Sequence, residues 1–229
     1  MRFDVLTLFP EIIQGYCSVS IMKRATESGV FEVNTINPRD FTLDKHKKVD
    51  DTPYGGGAGM VLMAQPYVDA YESVEICEKS ITIMLSPQGQ PLNEDIVNEL
   101  AEYKQIVLLC GHYEGFDERI REIIKPKEIS IGDFVLTGGE LPALCLIDAV
   151  SRKLDGTLGK IESANEDSFS NGLLEYPHYT KPRSYRGLEV PQVLLNGNHR
   201  EINEFRFQQQ LVRTKKKRPD LYQKYLDNN

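Results

Sequence analysis

The sequence predicts an α/β protein: a largely parallel sheet with helices on both faces, followed by a small helical domain. Three observations carry this. Short β-rich runs alternate with helix-period segments over the first 150 residues, a polar stretch interrupts the chain at residues 155–172, and a basic helical region follows. Alternation of strand and helix is the pattern of crossover units, whose helices cover both faces of parallel strands.

Strands are expected at residues 3–8, 31–36, 81–85, 106–110 and 128–131, where β-branched and other apolar residues concentrate. Helices are expected at residues 12–28, with a break near Gly15, and at 65–74, 94–103 and 117–124. A last helix of this half, over 141–154, puts Leu141, Leu144, Ile147, Ala149 and Val150 on a broad apolar stripe. Gly156, Gly159, Ser163, Asn165, Ser168, Ser170, Asn171 and Gly172 then give the composition of a linker. Residues 176–190 read as extended and Pro-punctuated, 198–215 as one long helix, and 219–226 as a short helix opened by Pro219. The expected domains are therefore 1–160 and 173–229, joined by a flexible linker over 161–172.

With 229 residues, 40% hydrophobic and 27% charged, the chain can bury a proper core and is neither disordered nor fibrous. Its longest apolar runs, such as residues 106–110, fall far below the roughly 18 residues of a membrane span. Asp4 interrupts the start where a secretory signal would stay apolar, so a cytoplasmic protein is expected. Cys17, Cys77, Cys110 and Cys145 form no C-x-x-C pair and lie in or beside apolar segments, the pattern of buried reduced thiols. His46, His112, His178 and His199 are equally dispersed, and no metal site is expected.

The net charge of −7 argues at first against a nucleic-acid partner. Its distribution argues otherwise. Residues 198–229 hold eight Lys or Arg against four acids, a local +4, which leaves −11 on residues 1–197. The window 178–218 carries ten Lys or Arg against three acids and interleaves Tyr179, Tyr185, Phe205 and Phe207. Cations among aromatic rings can pair with phosphates and stack on bases, although a solvated basic helix face has the same composition.

Three Gly- or Pro-rich segments follow three expected strands: residues 86–89 (SPQG), 111–115 (GHYEG) and 132–139 (GDFVLTGG). In an open parallel sheet, ligands bind outside the carboxyl ends of the strands, where these segments sit. None is G-x-G-x-x-G opening a helix, and no phosphate-binding G-x-x-x-x-G-K-[ST] exists, so neither dinucleotide nor P-loop chemistry is indicated. A fourth segment, residues 51–60, has four glycines in five positions and the flexibility to close over a substrate. Titratable candidates are Glu114, Asp117, Glu118, Arg119, Asp133, Glu140, Arg152, Glu166 and Asp167, among which spacing does not choose.

The runs GHYEGFDER (111–119), IGDFVLTGGELPAL (131–144), DDTPYGGGAGM (50–60), EDSF (166–169) and LLEYPHYTKPRSYRGLEVPQVLLNGNH (173–199) resemble the TrmD family of bacterial tRNA (guanine-N1)-methyltransferases. The resemblance runs in order from Met1 to about Arg218. It implies a homodimeric enzyme of the SPOUT class whose first domain is knotted as a deep trefoil and binds S-adenosyl-L-methionine within the knot. The implied substrate is tRNA, methylated at N1 of the guanine immediately 3′ of the anticodon, with a further guanine as its 5′ neighbour. By motif, the cofactor contacts fall on Pro87, Gly111, Tyr113, Glu114, Gly115, Ile131, Gly132, Asp133, Phe134, Val135, Leu136, Gly138 and Gly139. The family's base falls on Asp167 and its helper arginine on Arg152.

Guanine N1 carries a proton, so a carboxylate base has a task there, and a guanidinium aimed at O6 stabilises the charge that develops. On this hypothesis Asp167 reaches the partner protomer's cofactor pocket. A carboxylate base works better once closure removes it from water, with the linker as the moving part, so residues 163–172 are expected to be mobile without tRNA. His112 stands where the family often has Arg, Ala58 where Pro is common and Phe134 where Tyr is frequent. The chain also ends at Asn229, earlier than many relatives, which bears on tRNA affinity more than on catalysis. Two other readings are a SPOUT-class methyltransferase of ribosomal RNA and a catalytically silent module binding the anticodon arm. The intact EDSF and AVSR motifs argue against the second.

Overall fold

Five strands of the first 159 residues pair in parallel: β1 (Arg2–Leu6), β2 (Glu32–Ile36), β5 (Ser80–Pro91), β6 (Gln105–Leu109) and β7 (Lys127–Ser130), in the spatial order β2-β1-β6-β5-β7. A computed structural model describes residues 1–158 and 167–228 of the chain, which divides into two units, Met1–Gly159 and Lys160–Asn229. Residues 161–166, half of the expected linker and including Glu166, lie outside the described residues.

The period of two along each strand builds a core on either face of the sheet. Phe3, Val5, Ile83, Ile106 and Leu108 meet α1 (Pro10–Cys17), α2 (Ser20–Glu27), α4 (Glu94–Ala101) and α6 (Glu140–Ser151) through Ile13, Met22, Ile96, Leu100, Leu146 and Ile147. Leu6, Met84, Val107 and Leu109 face the other way, onto Tyr67 and Ala70 of α3 (Ala64–Glu72) and Ile120 of α5 (Glu118–Ile124). Helices thus cover both faces, as the alternation predicts. β6 is buried at every position because it lies between two paired strands and under both helical layers.

Asp4 sits at 4% exposure in β1. Three donors satisfy it: Arg2 Nε at 2.8 Å, Gln105 Nε2 at 2.7 Å and Asn34 Nδ2 at 3.0 Å. A carboxylate is tolerated inside a sheet when its lone pairs are filled this way. The same hydrogen bond raises the Arg2 guanidinium above its ordinary range.

Four expectations need correction. Residues 86–89 are a bulge within β5: Ile129 of β7 is matched first by Leu85 and then by Gln90, with the four residues looped out between. Pro87 has no N–H to give a ladder, so a bulge is where it fits. The break expected near Gly15 lies at Ser18–Val19, because Ile13 and Cys17 bury one side of α1 and hold it through the glycine. In α6, Leu141 is 56% exposed, so the apolar stripe is narrower than its composition implies. Cys145 on the same helix is exposed and Cys77 half-buried, leaving only Cys17 and Cys110 as buried thiols.

In the second unit, Leu173 and Thr214 are fully buried beside Tyr176 and Gln210. The hydroxyl of Thr214 accepts from the Leu174 amide at 2.8 Å, tying the incoming chain to α7 (His199–Lys217). Pro219 opens α8 (Pro219–Asp227), and β8 (Ser184–Tyr185) with β9 (Leu188–Glu189) makes a small antiparallel hairpin. Residues 167–172 form a turn in which Gly172 N donates to Phe169 O at 3.0 Å and Phe169 N to Leu173 O at 2.8 Å.

A Cβ on Gly89 would lie 2.5 Å from the Glu128 carbonyl carbon and 2.6 Å from that of Ile129. Gly89→Ala is expected to destabilise the first unit by about 1–3 kcal/mol, since backbone rather than a movable side chain must yield. A Cβ on Gly15 meets nothing within 4 Å. Gly15→Ala should therefore stabilise by roughly 0.5–1 kcal/mol through helix propensity alone. Urea unfolding followed by circular dichroism measures both.

Candidate active site

Three neighbouring strands, β6, β5 and β7, deliver their chains to the same end of the sheet. The bulge after Leu85, the loop after β6 and the loop after β7 consequently converge, and together they line a cleft of about 190 Å³. Pro87, Gly111, Tyr113, Glu114, Gly115, Ile131, Gly132, Phe134, Val135, Leu136, Gly138 and Gly139 all line it. Asp133 alone of the sequence-derived cofactor positions does not, and its side chain is exposed.

The cleft exists because two backbones come close. Gly139 N donates to Gly111 O at 2.8 Å, and His112 pairs with Gly138 as an antiparallel bridge. A Cβ on Gly139 would stand 2.7 Å from Cys110 Cα and 2.8 Å from Gly111 N, so only glycine permits the approach. Tyr113 then takes the left-handed conformation, φ +59°, and Gly115 N closes a tight turn on His112 O at 3.1 Å.

The glycine-rich segment connects β3 (Asp50–Asp51) to β4 (Val61–Leu62), an antiparallel pair too short to show periodicity in sequence. It is stitched to the loop after β6. Glu114 N donates to Met60 O at 3.0 Å, Leu62 N to Gly115 O at 2.9 Å and Asp117 N to Leu62 O at 2.9 Å. Its position at the cleft rim is therefore set by main-chain bonds at one end, while Tyr54 at its tip is fully exposed.

Around the cleft the ionisable groups have distinct environments. Glu140, first residue of α6, is only 2% exposed. Thr7 Oγ1 donates to its Oε1 at 2.6 Å, and His112 Nε2 lies 2.7 Å from its Oε2. Tyr67 donates its hydroxyl to Cys110 O at 3.1 Å, and burial pushes both the Tyr67 phenol and the Cys110 thiol well above their ordinary values. Neither is charged near neutral pH. Hydrogen bonding to Arg119 holds the Asp117 carboxyl below the usual carboxylate range, and Arg121 pairs with Glu118 and Glu128. Leu85, Phe116, Arg121, Ile129, Ser130 and Pro142 also line the cleft and lie outside the three expected segments. Thr7, which bonds Glu140 behind the cleft, follows directly on β1, a position that could have marked it.

Arg152 caps the carboxyl end of α6 in the first unit, its amide donating to Asp148 O at 3.1 Å. Asp167 opens the turn of the second unit, where Ser170 Oγ donates to its carbonyl at 2.7 Å. Among the described residues no cluster of His, Cys, Asp or Glu could hold a metal ion.

Residues 1–224 match the family described as tRNA (Guanine-1)-methyltransferase TrmD. A protein named tRNA (guanine-N(1)-)-methyltransferase from Synechococcus sp. (strain JA-3-3Ab) is 55% identical over 224 residues, covering 98% of this chain and 88% of that one. Proteins of the same name from Staphylococcus epidermidis and Desulforamulus reducens are 52% and 53% identical, covering 98% and 96% of this chain and 92% and 88% of theirs. The similarity spans all three cleft segments, the glycine-rich hairpin and the basic helix of the second unit: the chain belongs to the TrmD family of tRNA (guanine-1)-methyltransferases.

Proposed function

We propose that the protein transfers a methyl group from S-adenosyl-L-methionine to N1 of the guanine immediately 3′ of the anticodon of tRNA, position 37. The observation that carries this reading is the convergence of the three glycine-bearing segments on one cleft in a chain of this family. The cleft suits the donor. Leu85, Pro87, Val135 and Leu136 offer apolar walls for a purine, glycine backbones offer amide and carbonyl groups to its polar edge, and Glu114 offers a carboxylate to a cation. When bound, the donor supplies a methyl group activated by a sulfonium.

The chain's own residues then have three tasks. Asp167 removes the N1 proton, which makes a poor nucleophile a competent one. Arg152 stabilises the negative charge that grows on O6 as that proton leaves. The cleft holds the reacting atoms in line, which is most of what a methyl transfer requires. In this reading the enzyme is a cytoplasmic homodimer in which Asp167 of one protomer serves the cleft of the other. The bulge of β5 and the loops after β6 and β7 form a trefoil knot around the donor. A first domain of residues 1–160 carries the cleft, 161–172 link it, and 173–229 bind tRNA.

The second unit's charge supports that last role. Lys215, Lys216, Lys217 and Arg218 lie exposed at the carboxyl end of α7, where the helix dipole favours cations. Tyr179 and Tyr185 are about half exposed, and Lys181, Arg183 and Arg186 stand beside them.

Labelled methyl groups are expected to appear in an in vitro tRNA transcript bearing the target guanine and not in one with adenine there; label in ribosomal RNA instead would select the other SPOUT reading. In single-turnover assays, Asp167→Ala should slow transfer by about 10²–10⁴ and Arg152→Ala by about 10²–10³. Near-normal transfer by Asp167→Ala would remove it as the base. Affinity for tRNA should fall steeply with salt, and Lys216→Ala with Lys217→Ala should lower the slope of log affinity against log salt by about 1–2, as lost phosphate contacts do.

A further inference from the structure

The mechanism above leaves Glu140 without a task. It is a carboxylate at 2% exposure, it does not line the cleft, and it joins three separate pieces of chain. Thr7 belongs to the segment leaving β1, His112 to the loop after β6, and Glu140 itself to the start of α6. Its two oxygens are used separately: Oε1 takes the Thr7 hydroxyl at 2.6 Å and Oε2 lies 2.7 Å from His112 Nε2. The Thr7 hydroxyl also accepts the Phe9 amide at 2.9 Å, so its own proton points to Glu140. With Glu140 as acceptor on both oxygens, the hydrogen of this bond is assigned to His112 Nε2, an assignment the test below reads directly.

Two further features lock the imidazole. Phe9 packs against it with ring centroids 4.9 Å apart. Gly138 lies beneath it; a Cβ there would come within 2.6 Å of His112 Nε2 and 2.7 Å of Glu140 Oε2. Gly138 therefore leaves room for the pair to close. His112 in turn is one residue from Tyr113, whose left-handed backbone carries the chain into the cleft, and it lines the cleft itself.

We propose that Glu140 is a positioning residue: through His112 it holds the 111–115 loop in the shape that binds the methyl donor. This rests on the cofactor reading of the cleft. A buried carboxylate is costly unless its partners are supplied, and here one comes from the segment leaving β1 and the other, His112, from the loop that lines the cleft. Removing it releases the loop while leaving the reacting groups untouched.

The test uses the full-length protein labelled with ¹⁵N-histidine, together with steady-state kinetics on tRNA. The expected result in the wild type is a slowly exchanging Nε2–H proton assigned to His112 and lost in Glu140→Ala. The same variant should raise the KM for S-adenosylmethionine and the Kd for S-adenosylhomocysteine about tenfold, with kcat within twofold and the KM for tRNA unchanged. Glu140→Gln, whose amide oxygen still accepts one hydrogen bond, should fall between the two; it also serves if the alanine variant does not fold. Donor KM and Kd unchanged in both variants, or the absence of the protected His112 proton in the wild type, would overturn the proposal. Wild-type protein that keeps the His112 signature but binds no S-adenosylhomocysteine would overturn the cofactor reading instead.

Discussion

The contact between Gly111 and Gly139, 2.8 Å from carbonyl to amide, is the constraint on which the site depends. It closes the loop after β7 back onto the loop after β6, and it fixes where α6 begins. Because α6 starts there, Glu140 falls under His112 and Arg152 comes at the far end of the same helix. Any side chain at Gly139 would meet the Cys110–Gly111 backbone and push these elements apart together. Gly111, Gly138 and Gly139 are thus required by packing, whatever the cleft holds.

The layered sheet was legible because its signal is repeated. Phe3, Val5, Ile106 and Leu108 alternate with Asp4, Leu6, Val107 and Leu109, and both faces must find helices. What escaped has local or tertiary causes. The bulge at Ser86–Gly89 carries the composition of a loop, and only its pairing on both sides with Ile129 makes it part of a strand. The β3–β4 pair has two residues per strand, too few for any period. Gly15 looked like a helix break, yet burial of its neighbours outweighs a propensity cost of about 1 kcal/mol. Leu141 and Cys145 obey helical spacing but lie on a face the first unit leaves exposed.

The site divides in the same way. Convergence of the three segments follows from parallel strands and was readable from their positions after those strands. The pairing of Thr7, Glu140 and His112 was not, since Thr7 and Glu140 are 133 residues apart and nothing in their spacing joins them. The roles proposed for Arg152 and Asp167 rest on resemblance alone. Spacing does not distinguish a base from a solvated carboxylate in a polar stretch, and only the chemistry of N1 gives that residue a task.

Charge works at the level of the surface rather than the total. The chain carries −7, yet the basic end of α7 gathers four consecutive cations, and α8 takes up one of them by pairing Arg218 with Asp220 at 2.6 Å. Lys215 lies over the Tyr222 ring at 5.8 Å, which orients part of the cluster without neutralising it. Such a patch attracts phosphate within about 8–10 Å at physiological salt, whereas the acidic remainder repels it. On the proposed reading, an RNA is held where its backbone meets the patch and avoids the acidic surface.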